Sequence, residues 1–230
     1  LALTKSGESF YRKMAWVLMA IVIAGFGSAQ LTSTNFAPDF TPLLAVHAFV
    51  FITWYALLII QPSLIAAGKW DLHKRIGLFS IGLTLLMVVL GYLLVRTSIA
   101  RPDFSIAGKD ALGSAIFPFT DIVNFVIIYA LALYYRADGQ THKRLMILSG
   151  VMMIDPAAAR LVLSLGGSPP LIAGLELALF AAFFIHDFRT RGRPHWATVI
   201  AIILFGASMA AKFTIADGEA WSGFVRTFFG

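Results

Sequence analysis

The chain has 230 residues, of which 59% are hydrophobic and only 13% charged, with a net charge of +6 and no cysteine. A soluble domain carries about 25% charged residues, so the ionic surface of a water-soluble globule is missing here. Without cysteine, disulfides, thiolate-bound zinc, iron–sulfur clusters and thiol nucleophiles are excluded. The surplus bases sit in short stretches between apolar runs, a placement that speaks of membrane topology and not of nucleic acid.

Seven apolar runs follow in chain order: 14–31, 42–66, 75–96, 117–135, 144–165, 171–187 and 196–215. Each approaches or exceeds the roughly 17–25 residues that cross a bilayer core. Helices are expected throughout, because lipid offers backbone amides no partner. The segment Lys5 to Gln30 has the basic flank of a signal peptide, but its apolar run is long for one and six further runs follow. It reads as the first membrane helix. The breaks carry turn chemistry at Asn35 to Pro42, Gly68 to Asp71, Ala137-Asp138-Gly139, Gly166 to Pro170 and Gly192-Arg193-Pro194. The expectation is one all-α transmembrane domain over 1–230. The loop from Thr97 to Ile116 is the longest and is a candidate cap.

Of the 18 Lys and Arg residues, 12 lie at one end of the alternating spans and four at the other, with Arg160 and Lys212 inside spans. The positive-inside rule then puts the N-terminus in the cytoplasm and the C-terminus outside. A bacterial inner membrane is the expected location.

His73-Lys74-Arg75-Ile76-Gly77-Leu78-Phe79-Ser80 opens the third run, and His142-Lys143-Arg144-Leu145-Met146-Ile147-Leu148-Ser149 opens the fifth, 69 residues later. Arg193-Pro194-His195 opens the seventh in a looser form. The pattern parses as one leading helix followed by three helical hairpins. Such parallel repeats often place a site between them.

Four histidines, His73, His142, His186 and His195, fall at the basic end of the spans. Imidazole binds transition metals and haem iron, so these four are metal candidates, with His73, His142 and His186 also candidate haem ligands. The bland alternative is an interfacial histidine among topology-setting bases. Six ionisable residues lie in the opposite half: His47, Asp121, Asp155, Arg160, Glu176 and Lys212. Charges within a membrane face a bundle interior or a water-filled cavity. They make either a locking ion-pair network or a site for a proton, ion, quinone headgroup or small substrate. Asp155 leads the catalytic candidates, with His47, Asp121, Glu176 and Arg160 beside it. It lies just past the midplane and is followed by Pro156, which frees a carbonyl one turn back. His47, Trp54 and Gln61, spaced by seven, share one face of the second helix. That stripe is either helix-to-helix glue or a hydrogen-bonding path between the two ends.

The residues His47…Trp54…Gln61…His73-Lys74-Arg75, then His142-Lys143-Arg144-Leu145, then Asp187…Arg191-Gly192-Arg193…His195 resemble a group of uncharacterised bacterial multi-span membrane proteins, over most of the chain from the second span onward. That resemblance implies a bacterial membrane protein and carries no activity. A looser likeness to haem membrane proteins of the cytochrome b561 type rests on histidines in membrane helices and implies haem as a cofactor. Protease, Walker and serine-hydrolase motifs are absent. Three functions fit these residues: a His-ligated metal or haem oxidoreductase, a small-solute or proton-coupled transporter, and an accessory subunit of a larger membrane complex that touches quinone or lipid.

Overall fold

A computed structural model of the protein describes residues 2–32 and 41–230, and of residues 2–8 the backbone alone. The expected turn beginning at Asn35 therefore lies, up to residue 40, outside the described residues, as does the side chain of Lys5. Among the described residues there are ten helices and no strand. They are α1 (Ala2–Leu31), α2 (Pro42–Ala66), α3 (Trp70–Ile99), a short α4 (Ala111–Ser114) leading into α5 (Ile116–Tyr134), α6 (Gly139–Met152), α7 (Asp155–Ser164), α8 (Pro170–Arg191), α9 (Trp196–Thr214) and α10 (Glu219–Phe229).

Local chemistry sets many of the ends. The Thr41 hydroxyl accepts from the Leu44 N–H at 3.2 Å, with Pro42 in the first turn of α2. Asp138 caps α6 through the N–H groups of Gln140 and Thr141. Gly192 ends α8 in the left-handed region at φ 70°, where a side chain would be strained.

Among the described residues six helical stretches are long and apolar enough to cross a membrane, and α6 with α7, bent by 48°, makes a seventh if that pair is one span. The chain is thus an all-α polytopic membrane bundle. Large apolar side chains such as Ile23, Phe49, Leu78 and Leu85 point outward. In water such a surface would aggregate; in a bilayer it meets lipid.

The first helix packs one face on α2, α6, α7 and α8 and turns Trp16, Val17 and Ile23 outward. Its stripe of Tyr11, Ala15, Leu18 and Val22 is buried at helical spacing. At Gly25 any side chain would run into the Ala157 carbonyl of α7, whereas Gly27 faces open space. The close approach of α1 and α7 therefore depends on one of these two glycines. The expected hairpins are present as packed pairs: α2 with α3, α5 with α6, and α8 with α9. In the two repeat copies, Ser80 and Ser149 are both buried and both donate to the carbonyl three residues back, at 2.6 Å. The arginines diverge, since Arg75 is exposed and Arg144 is buried.

The helix expected over 144–165 is two helices, not one. Proline at 156 has no N–H to donate to Met152 and fits only the first turn of a new helix. The chain breaks at Met153 and Ile154 and restarts at Asp155. The backbone at the break closes with shorter-range bonds, Met153 N–H to the Gly150 carbonyl and Ile154 N–H to the Val151 carbonyl. Tyr55 of α2 donates its hydroxyl to the Gly150 carbonyl at 3.0 Å, so a neighbouring helix helps satisfy the break.

The long loop before α5 folds. Asp110 caps α4 by accepting from Gly113 N–H at 2.7 Å, and Ser114 accepts from Ile106 N–H at 2.7 Å. Helix α10, which no apolar run announced, buries Trp221, Val225 and Phe229 against Val95, Ala115, Ile116 and Ala216. Trp221 donates to the Leu112 carbonyl at 2.9 Å, and Tyr92 to the Phe228 carbonyl at 3.0 Å. Loop and helix together form a small second core over the ends of α3 and α5.

Candidate functional site: an acid–lysine cluster at the helix break

Because α7 begins at the break, the Asp155 side chain is delivered toward α9. There Lys212 holds two carboxylates at once, Asp155 Oδ2 at 2.7 Å and Asp121 Oδ1 of α5 at 2.9 Å. Lys212 is 1% exposed and its ammonium also lies 5.3 Å from the centre of the Phe117 ring. Glu176 of α8 is 3% exposed, and its Oε2 has no protein partner. Its charge interacts with Asp155, Asp121 and Lys212. Lys212 of α9 thus bridges carboxylates of α5 and α7, and the Glu176 carboxyl of α8 lies within electrostatic reach of all three. Three carboxyls near one ammonium leave the cluster with more acid than base, and uncompensated negative charge is costly to bury.

The other two ionisable residues in that half, Arg160 and His47, do not join this cluster, so the six do not form one ion-pair network. Arg160 points the opposite way from Asp155 round α7. It donates to the Pro156 carbonyl at 2.9 Å and stacks over Phe26 at 4.8 Å. Its charge is felt by His47, which stacks on Phe51 at 4.0 Å.

At the basic end a second buried cluster forms. Arg144 pairs with Asp187, both fully buried. The other Asp187 oxygen accepts from His195 N–H at 2.9 Å and from the Thr198 hydroxyl at 2.8 Å. His195 Nδ1 accepts from Ala197 N–H, capping α9, so its proton sits on Nε2, which faces Thr141 at 3.4 Å. Burial, helped by the charges of Arg144 and Arg191, pushes the His195 imidazole down to about 4. Asp138, outside the spans, is held below the usual carboxylate range chiefly by the Thr141 hydroxyl. Every acceptor of Asp187 is engaged, so this cluster ties α6, α8 and α9 together.

The four metal-candidate histidines are distributed between separate environments. His195 belongs to the Asp187 cluster. His186 stacks flat on Phe10 of α1 at 4.0 Å. His142 Nδ1 bonds the Ala132 carbonyl at 2.8 Å, and His73, whose Nδ1 has no protein partner, lies within electrostatic reach of His142. Among the described residues no group of three or more His, Asp or Glu is placed to hold a metal ion. The sequence made Asp155, Asp121 and Glu176 site candidates and placed Lys212 in the same half without making it one, and it offered Arg144 only as a topology base in the repeated segment. The different fates of Arg75 and Arg144 in otherwise matching segments have no signature in either copy. No known protein family matches the chain, and no curated protein or solved structure is significantly similar to it.

Proposed function

We propose that this integral membrane protein is a transporter of the proton-coupled class, moving protons or a small cation through the Asp121–Asp155–Glu176–Lys212 cluster. One observation carries this reading: a buried lysine bridges two carboxylates at the break of a membrane helix, with a third carboxyl, that of Glu176, within electrostatic reach. Broken helices near the midplane are where transporters hold ions, because freed backbone and mobile half-helices meet there. Asp155 is the residue best placed to exchange partners. Its side chain is 17% exposed while that of Lys212 is 1% exposed, and it stands on the first turn of a half-helix. Lys212 and Asp121 form the fixed pair, and Glu176 accepts the displaced charge or proton. The test is the full chain in proteoliposomes holding a pH dye, under an imposed pH or cation gradient. The expected result is dissipation above that of empty vesicles, reduced about tenfold or more in Asp155→Asn. Equal rates in protein-containing and empty vesicles, across proton, sodium and potassium gradients, would remove the transporter reading.

A second reading, a His-ligated redox protein, is favoured by one pair of side chains. His73 and His142 are electrostatic neighbours on α3 and α6, and His73 Nδ1 has no protein partner. Two imidazoles suffice for axial haem ligation but not for a four-coordinate structural zinc site. A Soret band in protein purified without chelator, lost in His73→Ala, is the expected sign; a colourless and iron-free preparation from haem-supplied cells counts against it.

A further inference from the structure

The face of α2 that carries His47, Trp54 and Gln61 is the strongest unexplained feature of the interior. Each of these residues has a buried polar atom without a protein partner: His47 Nδ1, Trp54 Nε1 and Gln61 Oε1. Buried polar atoms are nearly always paired, with protein or with ordered water. Three orphans at a spacing of seven on one helix face are a row, not scattered defects. Trp54 is 0% exposed, and its indole meets ring edges and faces of Phe125 and Tyr129 at 5.2 and 5.3 Å, which offer its N–H no ordinary acceptor.

The row is continuous with other polar groups. Below Trp54 the Tyr129 hydroxyl bonds Ser80 Oγ at 2.9 Å, and Ser80 bonds the Gly77 carbonyl at 2.6 Å. Gly77 has no side chain to separate α3 from the Gln61 amide, which lies 3.7 Å from where a Cβ would stand. One turn before Gly77 is His73, beside the Gln61 carbonyl and within reach of His142. Tyr55, next after Trp54 and turned about 100° round α2, feels the charge of Asp121 while its hydroxyl bonds the Gly150 carbonyl. Asp121, Phe125 and Tyr129 also follow one another at intervals of four on α5, so the acid–lysine cluster and this row flank the same helix face.

We infer that α2, with α3 and α5, encloses a file of internal water that carries protons between the acid–lysine cluster and the His73–His142 pair at the basic end. Its role as a proton path rests on the transporter reading; the presence of the water does not. Each transfer is a relay: an oxygen or imidazole nitrogen accepts a proton on one side and releases its own on the other, so no group changes net charge. A water near each orphan supplies the missing partner of the indole N–H, the Gln61 oxygen and the imidazole Nδ1 atoms.

The test is hydroxyl-radical footprinting by X-ray radiolysis of the full chain in detergent, where radicals form from water lying next to the side chain. Trp54 is compared with Phe180 and Phe183, equally buried but in apolar packing, each rate corrected for intrinsic reactivity. The expected result is oxidation of Trp54 about fivefold or more faster than either. A Trp54 rate no higher than theirs overturns the water file, even if vesicles show flux. In vesicles with flux, Gln61→Leu is expected to slow proton movement about fivefold, and Gln61→Met serves if the leucine variant fails to fold. An unchanged rate in a folded variant overturns the proton role. Fast Trp54 labelling without any wild-type flux would leave the water file standing and sink the transporter reading instead.

Discussion

Asp187 shows how much one side chain can hold. It accepts from Arg144, the His195 backbone and the Thr198 hydroxyl, three donors from α6 and the start of α9. Removing one member of a buried ion pair strands the other charge and costs about 3–5 kcal/mol. Asp187→Ala is therefore expected to lower the melting temperature in detergent sharply, and a Tm within a degree or two of wild type would show that the cluster contributes little. His195 adds a pH dependence to the same corner. Its imidazole titrates near 6.5 when unfolded and is pushed down to about 4 when folded. Between those values the unfolded chain binds the extra proton, so stability falls as pH drops from about 6.5 to 4 and levels off below. Burial is the largest cause; the charges of Arg144 and Arg191 lower the pKa further, and those of Asp187 and Asp138 act against them. His195→Gln is expected to flatten the Tm profile over that window; a slope equal to wild type would mean that other groups set it.

The elements differ in how openly their residues announced them. Long apolar runs identified all the spanning helices, since bilayer thickness leaves few other structures for them. The boundaries of α3 and α8 ran past the apolar limits because charged ends such as Lys74 and Arg189 continue a helix into the interface without loss of backbone bonding. The break between α6 and α7 was foreshadowed by Pro156, but the Tyr55 bond that helps satisfy it comes from another helix and has no local signature. Helix α10 escaped notice because its 11 residues are too few to span a bilayer and are interrupted by Glu219, Ser222, Arg226 and Thr227, so only the spacing of Trp221, Val225 and Phe229 marks a buried face. The pairing of Lys212 with Asp121 and Asp155 was illegible for another reason: helix-to-helix adjacency is not written in any one segment. The contact of α1 with α7 makes a prediction at this scale. Gly25→Leu is expected to destabilise the protein by about 1–3 kcal/mol through overpacking, while Gly27→Leu, facing open space, changes little. Equal effects of the two would contradict this packing of α1 on α7.

For the whole molecule, the distribution of Lys and Arg predicts which end faces the cytoplasm, and the natural absence of cysteine makes that easy to test. Gln140→Cys, at the exposed start of α6, and Thr227→Cys, exposed on α10, lie at opposite ends of the bundle. An impermeant maleimide added to intact cells is expected to label Thr227→Cys at once and Gln140→Cys only after lysis. The reverse pattern would invert the orientation, and with it the side from which the acid–lysine cluster is reached.

The broken span also bears on how the protein is made. Neither α6, with 14 residues, nor α7, with 10, is long enough to cross a bilayer alone, and Asp155 and Arg160 each cost about 2.5–3.5 kcal/mol when placed centrally in an isolated helix. A translocon reading this segment by itself would meet a poor candidate for insertion. Its principal partner, α1, leaves the ribosome more than a hundred residues earlier. The two halves of the span therefore meet partners of different age: α6 packs on α5, made just before it, while the face of α1 that receives α7 stays uncovered until more than a hundred residues later.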